Sequence, residues 1–251
     1  MHPALTMTLL KFSQGNAKLK HRLIFSLPAG KTCPGAVFCK SFAVVQDDGK
    51  RKIQDGPQTE FRCFAASSEV QYDAVFQTRA NNMELLFKSV IDGSMVELIN
   101  DSVQHHRKKK TKLVRIHESG DFFSRGYLNA WIEVARLNPD LDFYCYSKSL
   151  DFFLDVALPS NFYMTASYGG KFDHLIDQGY FTRYAKVYKT EEEAIADGLE
   201  VDHDDSHCFG DRPFALLVHG TQPKGSDWGK AIFARRKAGK FTGYSSKKAA
   251  A

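Results

Sequence analysis

Leu23-Ile24-Phe25-Ser26-Leu27-Pro28-Ala29-Gly30-Lys31-Thr32-Cys33-Pro34-Gly35-Ala36 begins as an apolar run and ends as a cysteine-bearing loop. Residues 23–27 read as a short buried strand, because a brief apolar run bounded by turn formers suits the inside of a parallel sheet. Pro28 removes a backbone donor and Gly30 permits a sharp turn, so the strand stops there. The loop beyond it carries thiols: Cys33, with Pro34 and Gly35 bending the chain around it, then Cys39, and much later Cys63.

Working outward, apolar runs predict further strands at residues 113–116, 141–146, 162–166, 185–188 and 214–218. Amphipathic or helix-forming stretches between them predict helices at 72–88, 90–103, 127–137, 150–157, 191–198 and 228–237. Strands alternating with helices imply βαβ crossovers. The expected fold is therefore α/β, a mostly parallel sheet of about six strands that is partial (β/α) barrel-like, with residues 1–251 as one domain. Residues 40–62 are polar and contain Asp47-Asp48-Gly49, which suits a surface insertion, either a hairpin or a mobile excursion. Residues 245–251 read as a flexible tail.

Composition narrows the class. The 251-residue chain is 43% hydrophobic and 25% charged, as an ordinary globular domain is. No run reaches the roughly 18 apolar residues that cross a bilayer, and the N-terminus lacks a signal-peptide pattern, so a cytoplasmic protein is expected. Five cysteines is an odd number, and three of them fall within residues 33–63. In a reducing compartment that crowding points to metal or redox chemistry before disulfides. The net charge of +5 is uneven, with Arg107-Lys108-Lys109-Lys110 at the centre of a basic run. Such a run could meet a nucleic-acid backbone or simply end a helix in solvent.

In either a barrel or an open parallel sheet, functional groups belong just past the carboxyl ends of the strands. Polar clusters fall there repeatedly: Cys33 to Cys39, His117-Glu118-Ser119-Gly120-Asp121, Ser147-Lys148-Ser149, Ser167-Tyr168-Gly169-Gly170 and His219-Gly220-Thr221-Gln222. The set Cys33-x5-Cys39-x23-Cys63 offers thiolates for an iron-sulfur cluster, whose sulfides can also accept backbone amides. Zinc is an alternative, since three cysteines and His207 or His117 would complete a tetrahedral site. Buried cysteines acting as small hydrophobes are a third. Glu118, Ser119, Gly120 and Asp121 read as a ligand-binding segment, with helix capping by Ser119 or Asp121 as the plainer role and Ser124 competing for it. Asp205, His207 and Cys208 lie in a loop dense in metal-capable groups, and Cys145 within a strand reads as core.

These residues resemble a known family. Phe25 to Ala36, Cys39, Cys63-Phe64-Ala65, Arg79, Asn82, residues 117–123, 144–150 and 191–198, Asp204-Asp205-Ser206-His207 and His219-Gly220-Thr221-Gln222 together look like the bacteriophage gene product 88-like family. That resemblance implies a phage protein in the host cytoplasm and carries no reaction with it. A second resemblance is architectural, to radical S-adenosylmethionine (SAM) enzymes, which carry a three-cysteine loop after the first barrel strand. It implies a [4Fe-4S] cluster on Cys33, Cys39 and Cys63. It further implies that Glu118 or Asp121 anchors the amino group of SAM. Ser119, Gly120, Ser147 and Lys148 complete the expected cofactor-binding set, Asp205, His207, Cys208, His219 and Gln222 are additional candidate metal or site residues, and the substrate is unidentified. The spacing departs from that family, which keeps its three cysteines within a few residues. The other class open to these residues is a non-enzymatic phage factor that binds nucleic acid or a host protein, with structural cysteines or zinc.

Overall fold

The computed structural model describes residues 8–15 and 19–240, and the tail expected at 245–251 lies outside the described residues. The main sheet has seven strands: β1 (Ser13–Gln14), β2 (Arg22–Ser26), β5 (Leu113–Ser119), β6 (Asp142–Ser147), β7 (Phe162–Ser167), β8 (Tyr184–Tyr188) and β9 (Phe214–Leu217). A separate hairpin is formed by β3 (Ser41–Val45) and β4 (Arg51–Asp55). The helices are α1 (Phe64–Gln71), α2 (Asp73–Asp92), α3 (Met95–His106), α4 (Arg125–Leu137), α5 (Asp173–Asp177), α6 (Glu191–Ala196) and α7 (Asp227–Lys237).

Within the main sheet the pairings that link β2, β5, β6, β7, β8 and β9 are all parallel, and only β1 runs antiparallel, against β2. Apart from the hairpin, strand order follows chain order, so there is no reversal of the kind that makes a doubly wound sheet. Right-handed crossovers repeated in one direction curl such a sheet toward a barrel. β1 and β9 do not pair among the described residues, so the curl stays open.

Alternation along the strands sorts the two faces. Leu23, Phe25, Val114, Ile116, Phe143, Cys145, Met164 and Ala166 join the main core, which also takes Leu86, Ile99, Tyr127 and Trp131 from α2, α3 and α4. Tyr144, Tyr146, Tyr163, Phe214 and Leu216 form a second cluster on the other face, with Cys208 and Phe209. The inner face is thus plugged by the chain between α6 and β9.

The six predicted parallel strands are all present. Residues 150–157 are not a helix beyond a single 3-10 turn at Leu150–Phe153, because Leu154 is already extended. The polar insertion proves to be the β3–β4 hairpin, with α1 packed beside it through Ala65 and Ala66.

Candidate functional site

The loop after β2 lies across the carboxyl ends of its neighbours. The Val37 and Phe38 N–H groups donate to the Gly169 carbonyl at 3.1 and 3.0 Å, and the Lys171 N–H donates to that of Gly35 at 2.8 Å. Gly35 is needed for this path, since a Cβ there would stand 2.1 Å from the Lys148 carbonyl oxygen. Gly120, at φ +85°, is tied to the same crossing: a Cβ would stand 2.6 Å from Thr32 Oγ1. Its role is close chain packing between the ends of β2 and β5.

Cys39 and Cys63 are separated by 23 residues, yet the hairpin returns the chain to where it left. At its base Glu60 and Phe61 donate backbone N–H bonds to the Phe38 carbonyl, at 2.8 and 3.2 Å. Ser41 joins the two cysteines directly: its Oγ accepts from the Cys63 N–H at 3.0 Å and donates to the Cys39 carbonyl at 3.3 Å. From the far side of the sheet, Gln222 bonds both backbone groups of Arg62, at 2.8 and 2.9 Å. Gly220, at φ +80°, lets that loop approach, since a Cβ would stand 2.8 Å from the Phe64 Cα. The His219 ring stacks on Phe64 with centroids 4.3 Å apart.

Cys33, Cys39 and Cys63 all line one cavity of about 710 Å³, together with Arg115, Glu118, Ser119, Asp121 and Lys148. Burial pushes the Cys33 thiol well above its ordinary value, with Asp121, Cys63 and Cys39 adding to the rise. Burial, then the neighbouring Cys39, pushes Cys63 up to about 12. The chain alone therefore keeps these two groups as thiols at neutral pH, and only a bound cationic centre would draw out thiolates. Among the described residues, no group of three His, Cys, Asp or Glu side chains closes around a point where one metal ion would sit.

A bulge shapes the wall beside them. Between Ile24 and Ser26 the register on β5 advances from Arg115 to Ser119, and His117 sits in the bulge at φ 65°. The bulge helps place Glu118 on the cavity wall, where Arg79 Nη2 donates to it at 2.6 Å and Ser26 Oγ at 3.1 Å. Arg79 also bonds Glu69 at 2.9 Å, so one buried guanidinium serves two carboxylates. Asp121 is committed within the chain, accepting from Ser147 Oγ at 2.7 Å and from the backbone of Phe122 and Lys148, both at 2.8 Å. Lys148 donates to Ser167 Oγ. Helix capping falls to Ser124, whose side chain accepts from the Tyr127 N–H, so neither Ser119 nor Asp121 caps α4. Ser119 Oγ and His117 Nδ1 are buried with no hydrogen-bond partner among the described residues, and both residues line the cavity.

Of the other candidates, Asp205 and His219 line the same cavity, and His207 and Cys208 do not. Asp205, at φ 65°, reaches inside the sheet to Arg115 at 2.9 Å, Tyr144 at 2.8 Å and Tyr146 at 3.3 Å, with Arg22 at 3.7 Å. His207 faces Glu200 and Asp202, each at 3.4 Å, and Cys208 is buried against the inner tyrosines. Burial lowers the His219 imidazole to about 4. The basic run follows α3 and precedes β5, at the amino-terminal end of the sheet: Arg107 pairs with Asp140, while Lys108, Lys109 and Lys110 are exposed. It stands at the opposite end from the cysteines. Ser41, Glu69 and Arg79 hold the site without carrying any motif of their own, and only Arg79 belonged to the family pattern.

A family model described as gene product 88 matches residues 8–241. The chain belongs to the gene product 88 family. Among curated proteins it is similar to the Gene 88 proteins of Mycobacterium phages L5 and D29, 31% identical to each over 141 residues. That stretch is 53% of this chain and 51% and 50% of those two proteins, so the chain spans about half the length of the curated relatives it matches. No solved structure matches. Among the described residues no helix is long and apolar enough to cross a membrane.

Proposed function

We propose that this gene product 88 family member holds an iron-sulfur cluster on Cys33, Cys39 and Cys63 and acts as a radical SAM-like enzyme on a substrate bound in the adjoining cavity. The observation that carries the reading is the convergence of three cysteines, distant in sequence, on one cavity at the carboxyl end of an open parallel sheet. Their mutual effect on one another's thiols supports that convergence. A polynuclear cluster takes each thiolate on a different iron, so its sulfurs stand further apart than the ligands of one ion. Zinc would require its ligands to meet at one point, closer together than the three thiolates of a cluster.

When bound, such a cluster would supply single electrons and one iron free of protein ligands, the arrangement that reductive cleavage of SAM requires. The chain's own residues prepare the space beside it. Glu118 presents a carboxylate fixed by Arg79 and Ser26, suited to a ligand amine. Asp121 ties the ends of β5 and β6 together, and Ser119 Oγ and His117 Nδ1 offer hydrogen-bonding capacity that the described chain leaves unused. The loop that carries Cys33 is pinned to the end of β7 by the bridge between Ala36 and Gly170, and Ala36 lines the cavity with it.

Anaerobic purification followed by iron, sulfide and zinc analysis tests the reading. Brown protein with several irons and matching sulfide is expected, and Cys33→Ala, Cys39→Ala and Cys63→Ala should each lose iron while Cys145→Ala keeps it. Full iron content in all three single variants, or one zinc and no iron in the parent, would overturn it.

A further inference from the structure

The carboxylates on the cavity wall are largely spoken for, but two of its cations are not. Of the six carboxylates that line it, Glu118 is held by Arg79, Asp205 by Arg115, Asp121 by three hydrogen bonds from the chain and Asp202 by the backbone N–H groups of Asp204 and His207, while Glu191 and Glu192 stand in the first turn of α6. Arg235, on α7, lines the cavity and donates one N–H to the Val218 carbonyl. Its Nε is buried and has no hydrogen-bond partner among the described residues. Lys148 lines the same cavity near the ends of β6 and β7, where its ammonium donates to the neutral Ser167 hydroxyl and lies within the field of Asp121, a carboxylate already engaged by the chain.

Neither cation has a carboxylate within 4.0 Å among the described residues. Residues 1–7, 16–18 and 241–251 contain no Asp or Glu, so no acidic side chain from them can be the missing partner. Water would hydrate an exposed ammonium or guanidinium cheaply, but a partly buried one without a counter-charge is costly. The cost shows in Arg235, whose guanidinium is drawn below its ordinary value by burial. Around it α7 and its C-cap bring the short side chains of Ala231, Ala234 and Ala238 to the cavity, with Lys240 just beyond.

We infer that this cavity is a binding site for a small multivalent anion, carrying phosphate or carboxylate groups, with Arg235 gripping one anionic group and Lys148 with Ser167 receiving another. A guanidinium fork matches the paired oxygens of either group, and an ammonium adds a point charge. A volume of about 710 Å³ is in the range of pockets that enclose a nucleotide-sized molecule. The inference stands on the cavity's charges and not on the cysteines, so it survives if the protein holds no iron.

The test is calorimetric titration of the full chain with pyrophosphate, adenosine monophosphate and citrate. Binding of at least one probe is expected, weakened tenfold or more by Arg235→Gln and by Lys148→Gln, and unchanged by Lys109→Ala at the far end of the sheet. The tighter arm, phosphate or citrate, names the source. Arg235→Lys, which keeps the charge and loses the fork, should bind with intermediate strength and guards against a folding defect in the glutamine variant. No binding of any probe, equal binding by Arg235→Gln and the parent, or an equal loss in Lys109→Ala would overturn the inference.

Discussion

Gln222 grips Arg62 by both ends of its peptide, accepting from the N–H at 2.8 Å and donating to the carbonyl at 2.9 Å, and so fixes the residue that precedes Cys63. A glutamine side chain can mimic a strand neighbour in this way, because its amide offers one acceptor and two donors in a plane. A third hydrogen bond, from the same amide nitrogen to the His219 carbonyl, anchors the clamp to its own loop.

Gln222→Leu should therefore loosen Cys63 without touching it. Losing these bonds is expected to cost roughly 1–3 kcal/mol, read from urea unfolding. If the cluster reading holds, iron content should fall in parallel, whereas Gln222→Glu, which keeps the acceptor, should lose less. A variant as stable as the parent would show that the clamp contributes nothing.

Arg79 is the more dangerous residue to remove, because it is buried and leaves both Glu69 and Glu118 without their partner. Arg79→Met is expected to destabilise by about 3–5 kcal/mol, the usual consequence of stranding a buried charge. Glu118→Gln, which keeps the hydrogen-bonding outline, should cost less. Equal melting behaviour of the two variants would refute the ordering.

Gly35→Ala tests the path of the cysteine loop. Its Cβ would meet the Lys148 carbonyl oxygen, a backbone atom that cannot swing aside. The loop must shift, at a cost of about 1–3 kcal/mol. Gly126→Ala, on α4 with helical backbone and open space around the added Cβ, should cost nothing. Thermal unfolding of both variants provides the comparison.

His117 gives the stability a pH dependence. Burial lowers its folded-state value from 6.5 to about 3, so the unfolded chain binds a proton that the folded chain refuses. Stability contributed by the neutral ring is complete above about pH 6.5 and is lost as pH falls toward 3. By pH 5 the loss from this residue is about 2 kcal/mol. His117→Phe should flatten the decline of the urea midpoint between pH 7 and 5, and an unchanged slope would count against it.

The parallel strands were legible because each is a compact apolar run, and the strand-end rule pointed to the cavity rim before any geometry was known. α1 escaped because Phe64-Ala65-Ala66-Ser67-Ser68-Glu69-Val70-Gln71 has little apolar periodicity, and it is held mainly by packing on the hairpin and by the Arg79–Glu69 pair. Residues 150–157 looked helical by composition, but extended backbone at Leu154 ends the turn. The meeting of Cys39 with Cys63 could not be read from spacing, since it depends on a hairpin closing at Ser41. Arg235 carried no motif, and its importance appears only when the carboxylates around it are found to be engaged elsewhere.

The hairpin between β3 and β4 has an implication for how relatives of this chain are found. Its strands meet in register from Ser41–Asp55 to Val45–Arg51, and its tip at Asp47, Asp48 and Gly49 faces solvent. Adding or deleting paired residues there would lengthen or shorten the ribbon while its base stays where it is. A search pattern that fixes the interval between the second and third cysteine would overlook such proteins. A pattern that leaves the interval free would accommodate them.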